Sequence, residues 1–126
     1  MVTGALGRVY RDGEVVFRQG DEGDCLYVVQ EGKVEVISEQ GDREVRLTIL
    51  EKDDSFGEMA IVGSKIRSAT VRAFGSARLL TVDKKTFLRR IHEDPSIAYR
   101  IVLGMSRRIR ALSDELARLK ALKQVD

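Results

Sequence analysis

The chain has little of what usually marks chemistry in a sequence. Among its 126 residues there is one cysteine, Cys25, one proline, Pro95, one histidine, His92, and no tryptophan. A lone cysteine excludes an internal disulfide and suits a reducing compartment. One histidine with one cysteine cannot build a His/Cys metal cluster. No apolar run is long enough to span a bilayer, and the first twenty residues hold none that would serve as a signal peptide, so the expected location is the cytoplasm. Neither sign of charge dominates: 22 Lys and Arg stand against 20 Asp and Glu, a net +2. That balance argues against a protein that coats nucleic acid or anionic membrane. There is no catalytic serine motif, no Walker loop and no internal repeat. Asp53-Asp54 is a turn pair with no second feature that would suit acid–base catalysis.

What is present is 43% hydrophobic and 33% charged, which predicts one folded domain rather than a disordered chain. The first two thirds read as strands and glycine turns. "EVVF" (Glu14 to Phe17) leads into the turn-rich "RQGDEGD", and "CLYVVQEG" is a strand that ends at Gly32. In "KVEVIS" Val34 and Val36 share one face, with Lys33, Glu35 and Ile37 on the other. A hairpin loop is expected at Gly41-Asp42. Next, "VRLTIL" places Val45, Leu47 and Ile49 on one face. "RSATVRAF" and "ARLLTVD" are two further strands separated by Gly75-Ser76. Such spacing predicts a β sandwich or barrel.

The period changes in the last third. Asp83 can cap a short helix, "KKTFLRRIH", whose Phe87, Leu88 and Ile91 share a face. Asp94-Pro95 signals a second helix start. Ala98, Val102, Met105, Ile109, Leu112, Leu116 and Leu119 then follow in alternating steps of four and three, a heptad seam. Two readings of the seam are open: a helix packed on its own barrel, or the interface of a homodimer through 98–119. Arg110–Asp114 and Asp114–Arg118 are spaced for weak helical ion pairs. "RRIR" (Arg107 to Arg110) reads as a solvated face. The expected organisation is a β unit with a short helix over 1–93 and a long helix over 94–126, with Cys25 a packed strand thiol.

"SFGEMAIVGSKIRSATVRA" (Ser55 to Ala73) departs from strand patterning. Gly57 lets backbone approach a ligand closely. The N–H groups after it open a helical turn and attract an anion, above all a phosphate. Arg67 supplies a planar fork that suits two phosphate oxygens, and Ser68 adds a hydroxyl. Glu58 fits beside an anion if it accepts hydrogen bonds from hydroxyls of the same ligand, such as a ribose. The alternative is that Glu58 and Arg67 pair with each other across a loop, which contributes little.

"FGEMA…RSATVRA" resembles the phosphate-binding cassette of cyclic-nucleotide-binding domains. The likeness extends through "GEVVFRQGDEGDCLYVVQEGKVEV" on one side and "DPSIAYRIVLGMSRRIRALSDEL" on the other. It implies a mainly β fold: an eight-stranded jelly roll (a double-stranded β-helix) with a short cassette helix, a second short helix and a long C-terminal helix. It also implies that Gly57, Glu58, Met59 and Ala60 form the cassette turn, with Glu58 on the ribose 2′-hydroxyl. Arg67 would hold the cyclic phosphate with Ser68 and the N–H of Ala69. Val36 and Leu47 match positions beside the sugar and base, and ordinary core packing fits them equally. Ser113 matches a helix position that contacts the base, from its own chain or a partner; an exposed helix serine is its other reading.

Three positions depart from the family pattern: Asp53 stands for a glycine, Ile66 for a proline and Leu112 for a hydroxyl residue. N-terminal helices common in the family are mostly missing, since strand patterning starts near Arg8. The chain also lacks the histidine-rich metal motif of the related cupin barrels. The function implied is a cyclic-nucleotide sensor without catalytic activity, metal or cofactor. It would bind cyclic AMP, with cyclic GMP open, because Ser68 follows the arginine. The C-terminal helix would move on binding and pass the signal to a dimer or a downstream protein partner. Nucleic acid would not be contacted by this chain. Alternatives are the sensor part of a transcription regulator of the catabolite-activator type, or an interaction module that keeps the fold without the ligand.

Overall fold

Two long strands organise the computed structural model, which describes residues 7–124. They are β3 (Cys25–Gln40) and β6 (Thr70–Asp83), paired antiparallel almost end to end, from Cys25 opposite Asp83 to Ile37 opposite Thr70. Around them lie β1 (Arg8–Tyr10) and β2 (Val15–Phe17) on β6, and β4 (Arg43–Leu50) and β5 (Ser55–Phe56) on β3. Helix α1 (Met59–Val62) is a single turn, followed after β6 by α2 (Lys84–Glu93) and α3 (Ser96–Lys123). The chain divides into two compact units between Arg89 and Arg90, inside α2.

The described residues form six strands in one antiparallel sheet, where eight were expected. The difference is physical. Gly32 and Gly75-Ser76 read as strand ends, yet they lie inside β3 and β6, which bend there instead of stopping. Register slips between Glu31 and Lys33, where Gly32 faces the Gly75–Ala77 bulge. Gly32 and Gly75 both have φ of 77°, which side chains other than glycine rarely tolerate. A Cβ on Gly32 would run into the Ser76 carbonyl. Counting each bent strand as two arms recovers the eight expected segments.

The core sits on one face of this bent sheet: Tyr10, Val29, Val34, Leu50, Phe56, Val71, Ala73, Ala77 and Leu79, with Val16, Phe17, Tyr27 and Val36 packed on it. Burying these side chains supplies the main drive for folding. The opposite face is less solvated than alternation predicts. Ile37 is buried, and so is Glu35, whose carboxylate accepts hydrogen bonds from Arg46 and Arg72. In β4 a bulge leaves Leu47 without a partner, since Val36 pairs with Thr48 and Ile37 with Arg46. The expected Val45-Leu47-Ile49 face is thereby broken. Val45 and Leu47 are exposed, at 46% and 47%, and Leu50 is buried instead. Ordinary core packing is therefore not the role of Leu47.

Local chemistry follows the sequence at several turns. Asp53 takes the left-handed conformation at φ 74°, as the glycine it replaces would, and its N–H donates to the Val29 carbonyl. Asp83 accepts from the N–H of Thr86 at 2.7 Å and caps α2, of which Phe87 is buried, Ile91 half-buried and Leu88 exposed. Asp94 accepts from the N–H of Ser96 at 3.1 Å, one residue outside the assigned cap Pro95. On α3, Arg118 pairs with Glu115 rather than with Asp114.

Candidate anion-binding site

Arg67 is the centre of the site. It is 5% exposed, unusually deep for an arginine. Its Nη1 donates to the Gly57 carbonyl at 3.1 Å and its Nη2 to the Cys25 carbonyl at 2.9 Å. The guanidinium carbon lies 4.1 Å from the centre of the Phe17 ring and 5.9 Å from that of Tyr27. The backbone around it is tied down: Arg67 N–H donates to Asp21 O, Gly20 N–H to Arg67 O, and Gly23 N–H to Lys65 O. A Cβ on Gly23 would fall inside the guanidinium, and one on Gly57 would stand 2.8 Å from Nη1. Glycine at both places makes room for the side chain.

Backbone carbonyls hold the Arg67 guanidinium. Nη2 also lies within weak hydrogen-bond distance of Cys25 Sγ, and Nε is buried with no hydrogen-bond partner. A buried N–H left unsatisfied costs about 1–3 kcal/mol, more when it belongs to a charged group. The guanidinium thus sits in a desolvated place with one donor unspent. An anion with a free oxygen would relieve that cost.

The cassette turn supplies the rest. Gly57 ends β5 with φ 82°, and Glu58 takes helical angles ahead of α1. The first helical bonds are Ala60 N–H to Gly57 O and Ile61 N–H to Glu58 O, so Glu58 and Met59 hold the positions whose N–H groups a helix cannot satisfy itself. The Glu58 side chain is 6% exposed and accepts from the Ser55 hydroxyl at 3.3 Å. Ala60 is buried, Met59 is exposed, Ser68 is exposed and Ala69 is buried. Val36 is half-buried against the core; Leu47 lies exposed on β4. Ser113 is exposed on α3, in the second compact unit.

Four neighbours of Arg67 escaped the sequence reading as site residues: Phe17, Gly23, Cys25 and Tyr27. Gly23 carried a signal, a glycine in a turn-rich run. The carbonyl of Cys25 carried none, because any residue has one. The Tyr27 hydroxyl titrates above its ordinary range, chiefly from burial, with the Cys25 side chain adding and the Arg67 charge opposing.

Fold and site together define a β domain with a desolvated, backbone-held arginine facing a glycine turn: a binder of small anions. The family is defined by the comparisons. The profile of the cyclic nucleotide-binding domain matches residues 7–94, and the chain belongs to that family. It is 41% identical over 81 residues to a cAMP-dependent protein kinase regulatory subunit of Blastocladiella emersonii, covering 64% of this chain and 20% of that one. It is 34% identical over 110 residues to the cyclic AMP receptor protein of Thermus thermophilus, covering 86% of this chain and 51% of that one. The crystal structure of the Thermus thermophilus catabolite activator protein superposes with a TM-score of 0.77 at 33% identity, over 90% of this chain and 54% of the other. The chain therefore spans about half the length of the bacterial relative and a fifth of the kinase subunit.

Proposed function

We propose that this chain is a sensor that binds cyclic AMP at Arg67 and answers by moving its C-terminal helix. The observation that carries the reading is the buried, unpartnered Nε of Arg67 between the cassette turn and the Phe17 ring. A cyclic phosphate is a monoanion that would accept from Nε. Backbone N–H groups of the turn and of Ala69, with the Ser68 hydroxyl, would take its remaining lone pairs. Glu58 would accept from the ribose 2′-hydroxyl. Val36 and Leu47 would flank the sugar and base, which gives the exposed Leu47 a partner. Ser113 would reach the base from its own chain or a second copy. The two curated relatives are named for cyclic AMP, which supports the adenine nucleotide over the guanine one.

A second copy of the chain is the partner that α3 fits. Val102, Ile109, Leu112, Leu116 and Leu119 are between 51% and 64% exposed along the heptad seam. Val102 and Ile109 hold one heptad position and Leu112 and Leu119 the other, as favours two parallel strands, with Leu116 following Ile109 at the first position. Ligand binding would then shift the population of helix positions, provided the nucleotide binds one position more tightly than the other. The role is that of a binder rather than a catalyst, in the cytoplasm. Among the described residues no helix is long and apolar enough to cross a membrane. The share of the bacterial relative that is covered favours one further reading, that the same domain serves as the sensor part of a larger regulator.

The test is calorimetric titration with cyclic AMP and cyclic GMP. Arg67→Ala is expected to weaken cyclic AMP binding by about 2–5 kcal/mol, as when a desolvated charge pair loses one member. Near-normal affinity in that variant would remove the phosphate from Arg67.

A further inference from the structure

The same arginine that anchors the site also holds the only thiol of the chain. Arg67 Nη2, which donates to the Cys25 carbonyl, lies 3.7 Å from Cys25 Sγ, close enough for a weak hydrogen bond to sulfur. Cys25 opens β3 and is half-buried. A second observation joins it: the Nε of this 5% exposed arginine has no partner, so the guanidinium next to the thiol is short of one acceptor.

We propose that Cys25 is an oxidisable thiol of the anion site, and that its sulfenic acid shuts the site by standing in for the ligand's phosphate oxygen. The proposal rests on the nucleotide reading above. The oxidant is hydrogen peroxide. Cys25 sulfur attacks one peroxide oxygen, an S–O bond forms and the O–O bond breaks. The sulfur is oxidised by two electrons and the peroxide reduced by two. The leaving hydroxide takes the thiol proton and departs as water. The thiolate is the attacking form. The product places an oxygen acceptor beside the guanidinium, an anion once it loses its proton. It competes with a phosphate for the same donors and adds volume to a crowded cradle. The reverse holds as well: a bound nucleotide would cover the sulfur and slow its oxidation. Two cellular thiols return the sulfenic acid to the thiol: the first forms a mixed disulfide and releases water, and the second reduces that disulfide and leaves with the first as an oxidised pair, so the device is reversible.

The experiment uses the whole chain, reduced, with hydrogen peroxide as the probe. Sulfenic acid is trapped with dimedone and located by mass spectrometry, and cyclic AMP binding is measured by calorimetry before and after oxidation. Oxidised protein is expected to bind at least about tenfold more weakly, a difference of about 1.4 kcal/mol. Dithiothreitol should restore binding, and saturating cyclic AMP should slow the trapping. Peroxide also attacks methionine, and Met59 in the cassette is 56% exposed. Cys25→Ser separates the two: its treated and untreated affinities should agree. Equal binding by oxidised and reduced wild type, or equal loss in Cys25→Ser, overturns the thiol proposal alone. A reduced wild type that does not bind cyclic AMP overturns the nucleotide reading and this proposal with it.

Discussion

Arg67 rests its guanidinium on the ring of Phe17, carbon to centroid 4.1 Å, across fifty residues of chain. The contact is attractive because the ring face is negative, and it is strengthened by desolvation. It also stops the guanidinium from swinging away from the cassette. Phe17 itself belongs to an aromatic cluster, with ring centroids 5.8 Å from Tyr27 and 5.9 Å from Phe56.

Replacing Phe17 by leucine keeps apolar volume and loses the ring. Cyclic AMP affinity should fall by about 0.5–2 kcal/mol, the range of such contacts. Phe17→Tyr should retain affinity, since the ring face is kept. Titration of both variants, with a melting curve for each, separates anchoring from folding. A leucine variant that binds like wild type would leave Phe17 with a packing role only.

Glu35 is the clearest case of stability linked to pH. Burial alone would raise its carboxyl, but the hydrogen bonds from Arg72 and Arg46, aided by their charges, outweigh burial and hold it below the ordinary value. A carboxyl depressed in the folded state contributes stability above its unfolded value, and loses it as pH falls through the folded one. Acid should therefore destabilise the wild type more than Glu35→Gln. At neutral pH that variant should lose about 2 kcal/mol, as when a charged hydrogen bond is removed. Urea unfolding of both proteins across the acid range tests this; parallel curves would remove Glu35 from the linkage.

Ile109 is 64% exposed and lies mid-seam on α3. If two chains join there, Ile109→Glu places a charge in an apolar seam and should convert dimer to monomer. Sedimentation equilibrium would read the mass. The helix itself should persist by circular dichroism, because glutamate is a good helix former. A wild type that is monomeric throughout would retire the seam as an interface.

What the sequence determined by itself is what depends on near neighbours. Helix starts at Asp83 and Asp94, the turn at Gly57, the seam on α3 and the left-handed Asp53 all follow from short-range rules of conformation and capping. Spacing of the glycine, the turn and the arginine left a Glu58–Arg67 pair open, and it was the resemblance to the phosphate-binding cassette that made the site legible. Tertiary structure decided what joins distant segments. Gly32 and Gly75 looked like breaks, and only their facing each other across two paired strands turned breaks into bends. Leu47 lost its place in the core through a bulge that depends on the register of β3 against β4. The anchors of Arg67 are carbonyls of Gly57 and Cys25, ten and forty-two residues away. Backbone carbonyls have no sequence signature, so their choice as partners emerges only when the chain has folded around the side chain they hold.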